Sequence, residues 1–100
     1  MQDNYSVELL RETGKRDFFN MENDVETRNN GLRMLLEAKK LGDHESAFII
    51  AKLILDSYIK PTCRDPEEHA LSILQYIANK GYLPARVLLN KYCKNRYNAA

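Results

Sequence analysis

Four side chains in this chain could serve as metal ligands or as a nucleophile with its base: His44, Cys63, His69 and Cys93. Their spacing supplies neither chemistry. A zinc site is commonly seeded by a Cys-x-x-Cys or His-x-x-x-His pair, which fixes two ligands within one turn, and no such pair occurs here. Neither cysteine has a base near it in sequence, so a Cys–His nucleophile pair could arise only through tertiary accident. Glu67 and Glu68 point to different sides of a helix and complement its positive N-terminal dipole; they do not make an acid–base pair. No glycine-rich loop follows a strand to cradle a phosphate, and no strand is predicted at all. The expectation is a protein without catalytic residues, metal or cofactor.

A disulfide and nucleic-acid binding are the two other kinds of chemistry these residue types allow. If the last third of the chain is a helical hairpin that turns near Tyr82, Cys93 lies opposite about position 71. Cys63 is then roughly 12 Å further along, at a rise of 1.5 Å per residue. A disulfide needs Cα atoms within about 7 Å, so two free thiols are expected, as in a reducing compartment. The segment holding Arg86, Lys91, Tyr92, Lys94, Arg96 and Tyr97 mixes cations with aromatic rings, as single-stranded nucleic-acid binders do. Cations near a chain end are equally the normal complement of a helix C-terminus, and nucleic acid is the weaker reading.

The elements that would position these residues are helices. From Thr27 to Leu41 the positions Gly31, Leu32, Met34, Leu35, Ala38 and Leu41 recur at spacings of three and four, and Gly42 ends the run. Asp43 can cap the next helix, whose stripe is Ala47, Phe48, Ile50, Ala51, Ile54 and Leu55. Pro61 and Pro66 break the chain, and Asp65-Pro66 followed by two glutamates is a strong helix start. Ala70, Leu71, Ile73, Leu74, Ile77 and Ala78 then lead to Gly81, and Ala85, Val87, Leu88, Leu89 and Tyr92 form the last stripe. Leu32, Leu35 and Gly42 thus recur as Leu71, Leu74 and Gly81, 39 residues on.

Residues 1–26 fit the pattern less well. Tyr5, Val7, Leu9 and Leu10 before Gly14 suggest a short helix, with Phe18, Phe19, Met21 and Val25 scattered through a polar stretch after it. We read 1–26 as an N-terminal helix covering the open end of a stack. Residues 27–96 would hold two helix-turn-helix repeats (27–58 and 66–94), and 97–100 a flexible tail.

The second joint, Lys80-Gly81-Tyr82-Leu83-Pro84-Ala85, and the run Asp65-Pro66-Glu67-Glu68-His69-Ala70-Leu71 that leads to it resemble the SEL-one-like repeat (SLR), a relative of the tetratricopeptide repeat. The family's small residues fall in register at Ala70, Ala78, Gly81 and Ala85. The first unit has Gly31, Lys39 and Ser46 at the corresponding places, and Ala51 and Asn90 stand where the family has a glycine inside its second helix. The resemblance implies an all-α fold of two stacked antiparallel helical hairpins, an α-solenoid fragment, with an additional N-terminal helix. It also implies adaptor or scaffold work, with the first helix of each unit lining a groove for a partner polypeptide. The positions its apolar stripe leaves outside are Arg33, Leu36, Glu37 and Lys40 in the first unit, and Ser72, Gln75, Tyr76 and Asn79 in the second. A four- or five-helix bundle with glycine turns is the plainer architecture.

Composition bounds the partners. One hundred residues make one domain, 44% hydrophobic and 29% charged, with no apolar run near the roughly 18 residues of a membrane span. The N-terminus has no secretory signal, so a cytoplasmic protein is expected. Net charge is +1, yet residues 1–50 hold seven cationic against ten acidic side chains and residues 51–100 eight against four. Such asymmetry can steer a charged partner. It also suits an inhibitor or immunity-type protein that masks an enzyme's cleft. Two hairpins make a small stack, which leaves room for a homodimer or a longer array.

Overall fold

The helix ends foreseen at residues 41–43 and 80–82 have a shared backbone signature in the computed structural model, which describes the backbone of residues 3–99 and the side chains of residues 7–92. Gly42 and Gly81 adopt φ of 98° and 97°, the left-handed region that a Cβ disfavours. At the first end, Asp43 N donates to Ala38 O and Gly42 N to Lys39 O, both at 3.0 Å. At the second, Tyr82 N donates to Ile77 O and Gly81 N to Ala78 O, again at 3.0 Å. These nested bonds satisfy carbonyls that a helix terminus leaves without a partner.

The described residues form five helices and no strand: α1 Asp3–Phe19, α2 Val25–Lys40, α3 His44–Leu55, α4 Pro66–Asn79 and α5 Leu83–Ala99. The fold is all-α. α2 starts two residues earlier than its stripe suggests, because Asp24 Oδ1 accepts from Thr27 N at 2.8 Å and so caps it. Asp65 caps α4 in the same way, accepting from Glu68 N at 3.2 Å, with Pro66 in the first turn. α5 runs to Ala99, through most of the segment read as a tail.

The chain divides into two compact units, Met1–Ile49 and Ile50–Ala100, with the boundary inside α3. In the first unit α1 and α2 form an antiparallel hairpin. Here the structure corrects the sequence reading, since α1 is not a short helix ending at Gly14 but one of 17 residues that passes through it. Gly14 faces Gly31 on α2. A Cβ built on Gly31 would lie 2.6 Å from Phe18 N and 2.9 Å from Gly14 O, and one on Gly14 would lie 2.8 Å from Gly31 O. The two backbones meet with no side chain between them. Leu35 and Ala38 are fully buried in this unit.

In the second unit α4 packs on α5, the antiparallel pair expected from the Gly81 joint. Arg86 donates to Ala78 O near the turn, and the Tyr92 hydroxyl donates to a Glu67 carboxylate oxygen far from it. Ala70, Leu74 and Ala85 are fully buried, and Ile77 and Ala78 nearly so. Val87 departs from its assigned stripe and is 65% exposed. At 100° per residue it stands about 200° round the helix from Ala85, on the opposite side.

Candidate partner-binding faces

On α2, Arg33, Leu36, Glu37 and Lys40 are all exposed, Leu36 by 39%. Three- and four-residue steps place them on one side of the helix, away from Gly31, Leu35 and Ala38. Together with Lys39 they line an open depression of about 490 Å³. Among the described residues, three cations surround its apolar floor and Glu37 is the one acid in the lining. Arg33 Nη1 donates to Asn30 Oδ1 at 2.6 Å, which fixes the guanidinium near the rim.

On α4, Ser72, Gln75, Tyr76 and Asn79 are likewise exposed, Tyr76 by 61%. Lys80 lies over the Tyr76 ring at 5.4 Å from its centroid, a cation–π contact that steadies the ring at the surface. Gln75 Nε2 donates to Asn79 Oδ1 at 3.0 Å, one turn apart. Ser72 Oγ donates back to Glu68 O at 3.0 Å. Gln75 and Ser72 share a depression of about 400 Å³ with Asp65, Glu67, Glu68 and Leu71, and its lining is acidic. A smaller one of about 190 Å³, between α4 and α5, holds Gln75, Asn79, Arg86 and Asn90 over Ala78 and Leu89. The opposite charge of the two larger depressions follows from helix position. Lys39 and Lys40 lie in the last turn of α2, where cations are favoured, and the α4 carboxylates at an N-terminus.

Compared with known proteins, no family model, no curated protein and no solved structure matches the chain.

Among the described residues, charged groups meet most densely around the start of α3. Arg11 Nη1 contacts Asp43 Oδ1 at 2.6 Å, Arg11 Nε contacts Glu45 Oε1 at 3.3 Å, and Lys15 Nζ contacts Glu45 Oε2 at 2.7 Å. Asp43 Oδ2 accepts from Ser46 N at 2.9 Å and from the buried Ser46 Oγ at 2.6 Å. Burial works to raise the Asp43 pKa, but the Ser46 hydrogen bonds and the Arg11 charge outweigh it, and the carboxyl titrates below its ordinary range. The hydrogen bond that Arg11 donates to the Glu12 carboxylate, partly opposed by burial, raises the Arg11 pKa, with Asp43 adding to the rise; the bond Lys15 donates to Glu45 likewise raises that of Lys15. The shifts of Arg11, Lys15 and Asp43 all favour the charged forms, which suits fastening α1 to the α3 cap.

Among the described residues no three potential ligands cluster as a metal site would require. Cys63 is exposed and free, and the side chain of Cys93 lies outside the described residues. So do those of Lys94, Arg96 and Tyr97, while Lys91 is exposed and Arg86 and Tyr92 are engaged with α4. No helix among the described residues is long and apolar enough to cross a membrane.

Sequence reasoning placed Lys39 at the register of a small residue of the repeat and did not assign it to the exposed face. Its position three residues after Leu36 was the available signal. Phe19, Met21 and Val25, noted in the sequence as apolar residues in a polar stretch but given no surface role, lie at the junction of α1 and α2 and are 50%, 74% and 72% exposed.

Proposed function

We propose that the chain is a non-catalytic protein-interaction module, an adaptor or scaffold of the SEL-one-like kind, that holds partner polypeptides on the outer faces of α2 and α4. The observation that carries this reading is the exposure of Leu36 and Tyr76 on ordered helices, each among polar or charged neighbours. An aliphatic or aromatic group with a polar rim is the usual composition of an interface anchor. The free, exposed thiol of Cys63 supports placing this work in a reducing compartment, the cytoplasm.

Photo-crosslinking tests the proposal. A photoreactive amino acid placed at Leu36 or Tyr76, in cells of the source organism, is expected to capture a discrete partner, whereas the same group at exposed Lys52 of α3 is not. Equal capture at all three positions, or none at Leu36 and Tyr76, would refute it. A captured enzyme whose activity falls on binding would identify the module's work as inhibition.

A further inference from the structure

The loop between α1 and α2 presents apolar side chains in a fixed arrangement. Asn23 N donates to Asn20 O and Glu22 N to Asn20 Oδ1, each at 3.0 Å, and Asn23 Nδ2 donates to Asp17 O at 3.0 Å. Phe18 packs edge-on against Phe19 at 5.1 Å between centroids, and Arg28 lies over the Phe18 ring at 5.3 Å. On this scaffold Phe19, Met21 and Val25 stand half to three-quarters exposed. Residues 19–26 carry Glu22, Asp24 and Glu26 and no cation. Arg28, held on Phe18 O at 3.1 Å, is a cation at the same tip, so the tip is an apolar knob whose rim is net acidic, three carboxylates against one guanidinium.

The α2 depression is its counterpart in shape and sign: an apolar floor at Leu36 with Arg33, Lys39 and Lys40 around it. The tip, formed by the end of α1, the loop and the first residue of α2, cannot reach this depression within one molecule, since Val25 and Leu36 are 11 residues apart on α2, about 16 Å along its axis. The acidic depression on α4 fits the basic one less well. Two of its three acids are already engaged, Asp65 in capping and Glu67 with the Tyr92 hydroxyl, whereas at the tip Asp24 caps α2 and Glu22 and Glu26 stand beside it.

From these surfaces we infer that the Phe19–Met21–Val25 tip of one copy seats in the Arg33–Leu36–Lys40 depression of a second copy. The inference rests on the reading of α2 as a polypeptide-binding face and names an occupant for it. The contact joins two different patches, so it is head-to-tail and can extend beyond a pair. So few residues on each side fall short of the roughly 800 Å² per partner of a stable complex. The association is accordingly weak, dependent on concentration and reduced by salt.

Sedimentation velocity on the purified full chain, from tens of micromolar to about 1 mM, tests it. The expected result is a sedimentation coefficient that rises with concentration at low salt and less so at high salt. A double reversal of the depression, Lys39→Glu with Lys40→Glu, should weaken association at least about tenfold, as should Glu22→Lys with Glu26→Lys at the tip. Mixing the two variants should restore it, because each then meets an oppositely charged partner surface. Circular dichroism matching the parent shows that the variants are folded. A chain that stays monomeric throughout, association that ignores both reversals, or a mixture that fails to recover overturns the inference. Loss on Glu67→Lys with Glu68→Lys in place of the tip reversal overturns it as well, in favour of α4. A monomeric chain that still captures a different protein from Leu36 would leave the interaction reading standing and remove self-association alone.

Discussion

The hairpin α1–α2 and the hairpin α4–α5 bring two helices together by different means. In the first, Gly14 and Gly31 let backbone touch backbone. In the second, the small buried residues are alanines, Ala70, Ala78 and Ala85. Both are short-side-chain solutions to close packing, yet one methyl group separates them. A glycine inside a helix costs about 1 kcal/mol relative to alanine, so a crossing that keeps two of them must recover that cost through contact.

The comparison is most directly broken at Gly31. Gly31→Ala improves helix propensity but pushes a Cβ to 2.6 Å from Phe18 N, a backbone atom that moves only if α1 moves. We expect a net loss of about 2–3 kcal/mol in urea unfolding, as for an overpacked core. Ala85→Gly in the second unit makes the opposite change, and its expected cost is about 1–2 kcal/mol, propensity plus a lost buried methyl. If Gly31→Ala were neutral, the glycine crossing would not be what holds α1 to α2.

A smaller effect, with a pH signature, is expected at Asp43, which belongs to the first unit alone. Asp43→Ala removes the α3 cap and should cost about 1–2 kcal/mol at neutral pH. Asp43→Asn retains the capping oxygen and loses the charge opposite Arg11. The Asp43 pKa is lowered on folding, so its charge-dependent contribution is complete above the ordinary carboxylate range and is lost as pH falls through the depressed value. The difference in stability between parent and Asp43→Asn should therefore shrink as pH falls through and below that range. A difference that stayed constant with pH would assign the role to capping alone.

How much was legible in the sequence differs between the units for a physical reason. Asp65-Pro66 and Gly81 announce α4 and its end because a cap, a fixed φ and a left-handed turn are local properties. Gly14 was ambiguous, since a glycine that ends a helix and one that admits a neighbouring backbone look alike until the partner is known. The clue was its symmetry with Gly31 about the loop at residues 22–23, which a search for local stop signals does not use. On α2 and α4 the exposed face could be read by subtraction from the buried stripe. The apolar tip could not, because adjacent Phe18 and Phe19 suggest burial of both, and the structure buries Phe18 more than Phe19.

The turns sharpen the comparison further. Gly81→Val should destabilise by more than about 1 kcal/mol through the positive φ alone, since nothing lies within 4 Å of a Cβ built there. Heat or urea unfolding measures it, and a near-neutral result would mean that the left-handed turn is dispensable.

The smallest expected effect has the opposite sign. α3 ends with the same nested bonds as α2 and α4, Tyr58 N donating to Leu53 O at 2.8 Å and Ser57 N to Ile54 O at 3.0 Å. The residue in the left-handed position is Ser57, with φ of 66°, where the other two ends have glycine. A Cβ there costs on the order of 1 kcal/mol, while glycine adds some entropy to the unfolded chain, so the two effects partly cancel. Ser57→Gly should stabilise by about 0.5 kcal/mol, read as a small rise in the urea midpoint with an unchanged slope. Ser57→Val, which keeps the Cβ and adds branching, should lower the midpoint instead. A drop with glycine would show that the serine side chain stabilises this helix end by more than its backbone strain costs.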